Sequence, residues 1–149
     1  MITDERITAY INSLDSGDGE LCDEIAGEAA ASFVPIIKRE TAALLKTMVA
    51  LKQPKHILEV GTAVGYSALL MARIMPKDAH ITTIEKFEKR IPVAKANFKK
   101  AQLEDRITLL EGDAGEILAD LSGSFDFIFM DAAKGQYINW LPDIIRLLT

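Results

Sequence analysis

The sequence predicts an α/β chain, with helices first and then a mostly parallel sheet covered by crossover helices. Three observations carry this. From residue 55 onward, short apolar runs alternate strictly with amphipathic stretches, the signature of repeated strand–helix units with right-handed crossovers. The runs themselves, such as Phe125-Asp126-Phe127-Ile128-Phe129-Met130, are largely apolar, as strands buried on both faces are. The third observation is the stretch His56-Ile57-Leu58-Glu59-Val60-Gly61-Thr62-Ala63-Val64-Gly65-Tyr66-Ser67. It reads as a buried strand, a small-residue turn with two glycines and the start of a helix, the kind of βα turn where backbone approaches a ligand closely.

The elements follow in order. Residues 4–15 read as a helix with Ile7, Tyr10, Ile11 and Leu14 on one face, and Ser16-Gly17-Asp18-Gly19 breaks it. A second helix is expected from Glu20 to about Ser32, with Leu21, Ile25 and Ala29 inward. Phe33-Val34-Pro35 is a connection, because the residue before proline avoids helical geometry. A third helix, with apolar Leu44, Leu45, Met48 and Val49, runs to about Leu51. Strand 55–60 then leads to helix 65–75, closed by Pro76. Strand 80–85 leads to helix 88–101, whose Pro92 fits only near the first turn. Strand 106–111 leads to a short helix at 114–121. After the turn Ser122-Gly123-Ser124, strand 125–130 leads to a helix at 136–148. The whole is one domain, 1–149, with a helical part at 1–54 and a βα part at 55–149.

Composition narrows the function classes. The chain has 149 residues, 49% of them hydrophobic, and a net charge of −5. Such a balance argues against a strong nonspecific grip on nucleic acid, which needs clustered phosphate contacts. A single cysteine, Cys22, permits no internal disulfide and fits a reducing compartment. We read Cys22 as a partly buried helix residue rather than a nucleophile. No apolar run reaches the roughly 20 residues of a membrane span, and the acidic, polar N-terminus has no signal-peptide pattern. A cytoplasmic protein without membrane contact is expected. His56 and His80 start strands, opposite the expected ligand side, and are read as structural. Lys86, Lys89, Arg90, Lys95, Lys99 and Lys100 follow the solvated face of a helix, with a basic patch for RNA as the alternative.

The first βα turn sets the ligand class. A pyrophosphate site uses G-x-G-x-x-G with no buried anion beside it. Here Glu59 sits in the strand end and the glycines are spaced as Gly61-x-x-x-Gly65, which suits a cationic ligand such as S-adenosylmethionine. Gly61 and Gly65 would let backbone pass under its methionine part. Glu59 would orient backbone or accept from its ammonium. Thr62 and Ser67 offer hydroxyls to its carboxylate, beside a helix N-terminus whose dipole favours an anion. Tyr66 either packs over the ligand or packs on the N-terminal helices. Glu85, at the end of the second strand, is placed to accept both ribose hydroxyls.

From Ile57 to Tyr137 the chain resembles the class I S-adenosylmethionine-dependent O-methyltransferases, in particular the cation-dependent catechol and caffeoyl-CoA group. Ile57 through Ala68 is similar to that group's first motif. Met130-Asp131-Ala132-Ala133-Lys134-Gly135-Gln136-Tyr137 resembles its metal-and-base segment. The D-A-A-K-G-Q-Y form is most similar to the bacterial branch containing the tRNA 5-hydroxyuridine O-methyltransferase. The resemblance implies a Rossmann-like methyltransferase fold. It places Asp113 and Ala114 at the adenine, although Asp113 also reads as a helix N-cap. It makes Asp131 one of three oxygen ligands to a divalent cation, usually magnesium, and Lys134 the base that takes the acceptor's proton. Tyr137 either lines the acceptor pocket or packs.

The resemblance also implies a seven-stranded sheet, continuing through a Pro-Gly turn to a strand ending in Asp-Asn, which supplies the other two metal ligands. Four strands are read here, so the chain is expected to be C-terminally truncated, lacking the last three strands. Magnesium would rest on Asp131 alone. Strand 125–130 would form an open edge that favours a homodimer. The expected reaction is metal-assisted methyl transfer to a hydroxylated uridine in tRNA, which the D-A-A-K-G-Q-Y form favours, with a small catechol-like acceptor as the alternative. Cofactor binding without turnover is the alternative from another class. A nicotinamide-binding domain ranks lower, because the glycine spacing is wrong for it.

Overall fold

The computed structural model describes residues 4–14 and 17–149. Three helices come first, α1 (Glu5–Ser13), α2 (Glu20–Ala31) and α3 (Arg39–Lys52). The alternating part follows as β1 (His56–Val60), α4 (Tyr66–Ile74), β2 (His80–Glu85), α5 (Ile91–Lys100), β3 (Ile107–Glu111), α6 (Ala114–Asp120), β4 (Phe127–Met130) and α7 (Tyr137–Leu147). Short 3₁₀ turns at Glu104–Arg106 and Lys134–Gln136 precede β3 and α7. The four strands pair in the order β3-β2-β1-β4, every pair parallel. The predicted α/β class and element order hold.

The sheet is buried on both faces, which is why its strands read as apolar runs. On one face Ile57, Ile81 and Ile107 pack with Ile25, Val49, Leu69 and Phe98 from α2, α3, α4 and α5. On the other, Leu58, Val60 and Ile84 meet Leu118 of α6 and Trp140, Ile144 and Leu147 of α7. β1 is one of the two inner strands, and Ile57, Leu58, Glu59 and Val60 are each 0% exposed. Such a carboxylate costs several kcal/mol unless it is neutral or fully hydrogen-bonded. The site shows how this one is satisfied.

Element ends differ from the sequence reading, and at three starts the physical reason is plain. Helix α5 starts at Ile91 rather than 88, because Phe87–Arg90 close a turn first. The Arg90 amide donates to the Phe87 carbonyl at 2.8 Å, and the guanidinium lies 4.9 Å from the Phe87 ring centroid. Pro92 then falls in the first helical turn. The third strand loses residue 106 to the 3₁₀ turn. β4 starts at Phe127, because the Asp126 carboxylate accepts from the Lys55 and His56 amides, each at 2.9 Å. Burial raises this carboxyl's pKa, but the two amides outweigh it and leave it lowered. Phe125 leaves β4 for an isolated parallel bridge to Leu148.

The N-terminal helices depart more. Helix α1 has no buried residue, and its expected apolar face, Ile7, Tyr10, Ile11 and Leu14, stays exposed. It meets α3 on its polar side, where Asn12 donates to Glu40 at 3.3 Å. In α2 the inward residues are Cys22, Ile25 and Ala29, and Cys22 is wholly buried rather than partly so. In α3, Leu45 and Val49 are buried while Leu44 and Met48 face out. Asp15 and Ser16, at the expected helix break, lie outside the described residues. Among those described, no helix is long and apolar enough to cross a membrane.

Candidate functional site

The carboxyl ends of β1, β2, β3 and β4 surround one open cleft of ≈ 1050 Å³, the position where ligands bind in parallel α/β sheets. The turn after β1 forms its floor. The amides of Gly61 and Thr62 both donate to the Ile84 carbonyl, at 3.0 and 3.1 Å. Gly61 has φ +105, and a Cβ there would lie 2.5 Å from the Asp131 carbonyl oxygen. Gly65 has φ +88, and a Cβ there would meet the Phe98 ring at 2.6 Å. So both glycines are demanded by the protein's own packing, and Gly61 brings the ends of β1 and β4 into contact. Asn97 of α5 pins the same turn, donating to the Val64 carbonyl at 2.9 Å.

Behind the turn lies a buried polar network. Glu59 and Thr83 are register partners in β1 and β2. The Thr83 hydroxyl donates to Glu59 Oε2 and the Ser67 hydroxyl to Oε1, each at 2.5 Å. The Thr62 hydroxyl completes the chain on Thr83, at 2.6 Å. Burial raises the Glu59 carboxyl to about 7 against the two hydroxyl donors, with Asp131 and Glu85 adding to the rise. The structure therefore does not bring Glu59, Thr62 and Ser67 into the cleft as ligand-facing groups. The even spacing of a strand turns Glu59 to the face under α4, opposite Leu58 and Val60, and Thr62 and Ser67 are drawn to it. Gly65 also lies outside the cleft lining.

Tyr66 takes the second of its two expected roles. Its hydroxyl donates to Asp18 Oδ2 at 2.8 Å, tying α4 to the segment before α2. Asp18 also pairs with Lys46 and accepts at its carbonyl from Arg73. Burial raises the Asp18 carboxyl, but the hydrogen bonds from Lys46 and Tyr66 outweigh this and hold it below the ordinary range. Burial and the Asp18 carboxylate push the Tyr66 phenol up. Burial also pushes the Cys22 thiol up, as expected for a structural residue. His80 bonds Thr108 at 2.8 Å at the far end of the strands.

The front of the cleft holds the remaining expected residues: Gly61, Glu85, Asp113, Ala114, Asp131 and Lys134 all line it. Three backbone amides fix the Glu85 carboxylate. Ala63 donates to Oε2 at 2.7 Å, and Phe87 and Lys86 to Oε1 at 2.8 and 3.0 Å. A carboxylate offers about four acceptor positions, so capacity for a ligand hydroxyl remains. Asp113 is both N-cap and cleft residue. It accepts from the Gly115 amide at 2.9 Å, and that bond together with Lys86 lowers its carboxyl. Asp131 and Lys134 are exposed in the loop after β4.

Sequence reasoning missed several participants. Thr83 and Asn97 hold the turn, yet nothing but their place in a strand and a helix marks them. Lys38 and Thr41, at the start of α3, and Trp140 also line the cleft. Trp140 lies one helical turn beyond Tyr137, a spacing that carries the signal. Lys86 and Arg90 line the cleft as well, rather than lying with Lys95 and Lys100 on a solvated face.

Of the expected cation ligands, the cleft carries Asp131. Among the described residues, no group of three or more His, Cys, Asp or Glu side chains is placed to hold a metal ion. Asp131 offers one carboxylate, and magnesium takes six oxygens in near-octahedral geometry, usually one or two carboxylates with water and substrate supplying the rest.

Comparison with known proteins agrees with this geometry. A family model described as O-methyltransferase matches residues 14–149. The catechol O-methyltransferase of Niastella koreensis is 34% identical over 149 residues, covering 96% of this chain and 67% of that protein. The caffeoyl-CoA O-methyltransferase of Stellaria longipes is 37% identical over 111 residues, covering 70% of this chain. The chain spans only 46% of the length of that plant relative. Among solved structures, the Bacillus cereus O-methyltransferase in complex with SAH superposes with a TM-score of 0.85 at 26% identity, over 97% of this chain and 68% of that one. TomG from Streptomyces achromogenes, in complex with SAM, gives 0.87 at 26% identity, over 100% and 71%.

Proposed function

Because this chain belongs to the O-methyltransferase family, we propose that its cleft binds S-adenosylmethionine and serves methyl transfer to a hydroxyl oxygen of a small, catechol-like acceptor. One observation carries the reading. Glu85, at the carboxyl end of β2, is locked by three amides beside the close approach of Gly61 to Asp131. That combination offers a fixed acceptor for ribose hydroxyls and a side-chain-free floor for the rest of the ligand. Asp113 and Ala114 flank it on the third strand's end, where the resemblance puts adenine.

S-adenosylmethionine supplies a methyl group on a positively charged sulfur, open to in-line displacement by oxygen. The chain's part is to hold the two reactants close and collinear and to manage the acceptor's proton. Lys134, on the loop that also carries Asp131, is the group in the cleft for that proton. Asp131, after β4 on the other side of β1 from Glu85, places a negative charge in the cleft, suited to a ligand ammonium.

The named relatives act on catechol and caffeoyl-CoA, which supports a small phenolic acceptor over the hydroxylated uridine that D-A-A-K-G-Q-Y favoured. One observation favours the uridine. Lys38, Lys86, Arg90 and Lys134 surround the cleft, and a tRNA would meet them with phosphates. The test is calorimetric titration with S-adenosylmethionine, followed by methyl-transfer assays on catechol and on tRNA bearing hydroxyuridine. Absence of S-adenosylmethionine binding would overturn the reading, and transfer to the tRNA alone would replace the acceptor.

A further inference from the structure

Tyr137 makes a pair of contacts that packing alone does not require. Its phenol oxygen accepts from the Ala132 amide at 3.0 Å and donates to the Met130 carbonyl at 3.1 Å. These two groups flank Asp131. The Asp131 amide itself donates to the Val60 carbonyl at 3.0 Å, and its carbonyl lies against Gly61, where even a Cβ would collide. The Asp131 backbone is thus held at four points, two of them on one side chain. Beyond these, Ala132 packs on the core and the Gln136 amide closes the 3₁₀ turn on the Ala133 carbonyl at 2.8 Å, while Asp131, Ala133, Lys134, Gly135 and Gln136 are all exposed. The Tyr137 ring is anchored in turn against Trp140, with centroids 6.2 Å apart.

We propose that Tyr137 is a positioning residue for methyl transfer, and that its hydroxyl fixes the loop carrying Asp131 and Lys134 against the cofactor floor. This rests on the methyl-transfer reading of the cleft. The hydroxyl closes a short ring across the end of β4. It converts an exposed loop into one with a defined exit direction, so Asp131 faces the ligand and the 3₁₀ turn at Lys134 starts at a fixed place. Phenylalanine would keep the ring packing and delete only the clasp.

The test uses the wild-type chain, Tyr137→Phe, Asp131→Ala and the double variant, each titrated with S-adenosylhomocysteine. Tyr137→Phe is expected to weaken binding roughly tenfold, the size of two modest hydrogen bonds. Acting through Asp131, it adds nothing further in the double variant, which should bind no more weakly than Asp131→Ala. Amide exchange gives a second readout that needs no ligand. The Ala132 amide should be protected in the wild type and exchange at least about tenfold faster in Tyr137→Phe, while β1 and β2 amides stay unchanged. Unchanged affinity in Tyr137→Phe, additive losses in the double variant, or a freely exchanging Ala132 amide in the wild type would each overturn the proposal. So would loss of cooperative unfolding in Tyr137→Phe, which would make the residue structural. No binding by the wild type would instead fell the functional reading, and this one with it.

Discussion

The two sides of the cleft are built on different physical terms. The β1–β2 side is rigid from behind. Its turn rests on a closed network of Glu59, Thr83, Ser67 and Thr62, all at most 8% exposed, and on the Asn97 bond. The β4 side is held from the front, by the Tyr137 phenol, the Asp131–Val60 backbone bond and the Gly61 contact, and Asp131 and Lys134 stand in solvent. A ligand meeting the first side finds groups already in place. On the second side, the same precision depends on a few contacts at the surface. Proton handling by Lys134 should therefore separate from cofactor binding, which draws on Glu85 on the first side and Asp131 on the second, when residues are changed one at a time.

The largest expected effect sharpens that separation. Lys134→Ala should leave S-adenosylhomocysteine affinity and stability unchanged, while lowering the methyl-transfer rate by roughly 10²–10⁴, the usual worth of a general base. Parallel titration and single-turnover rates would show it, and an equal loss in both would merge the two sides again. Gly61→Ala strikes the seam between them. Its Cβ meets the Asp131 carbonyl in a backbone region that disfavours side chains, so stability should fall by roughly 3 kcal/mol in urea unfolding, with cofactor binding lost. Retained stability would mean the strands separate easily.

A third prediction concerns the rigid side alone. An ordinary glutamate carboxyl titrates near 4.5, and Glu59 in the fold near about 7. Between those values the folded chain keeps a proton that the unfolded chain has lost. The contribution of Glu59 is therefore fully present below 4.5 and is lost as pH rises through 7. Glu59→Gln should remove roughly 3 kcal/mol of this pH-dependent change, so its unfolding free energy should be flatter over pH 4.5–7.5 than the wild type's. An equal slope in both proteins would assign the dependence elsewhere. The smallest effect is that of Glu85→Ala, expected to weaken S-adenosylhomocysteine binding by roughly 1–3 kcal/mol through lost charge-assisted hydrogen bonds. Unchanged affinity would remove the ribose role.

The sequence made one of these sides more legible than the other. Strand–turn–helix periodicity located β1, β2 and the residues of the first turn, because burial on both faces leaves a plain apolar signal. It could not say which way Glu59 points. That depends on the pleat and on Thr83, 24 residues away. Tyr66 shows the same limit, since both of its readings fit the local pattern and only Asp18, 48 residues earlier, decides between them. On the β4 side the motif singled out Asp131 and Lys134, and both line the cleft. The clasp by Tyr137 and the lining by Trp140 arise from how α7 folds back, which local spacing hints at and tertiary packing fixes. The exposed face of α1 was misleading for a related reason. An amphipathic pattern shows that a helix has an apolar side, not that something covers it.

The contact between Asp126 and the start of β1 spans 70 residues of chain, against 24 for Glu59 and Thr83. Closing the longer loop costs about 0.9 kcal/mol more in chain entropy. On this difference alone, β1 is expected to pair with β2 before it pairs with β4, and the turn after β1 to form ahead of the loop that carries Lys134. The side of the cleft that carries Asp131 and Lys134 would then be the later of the two to form.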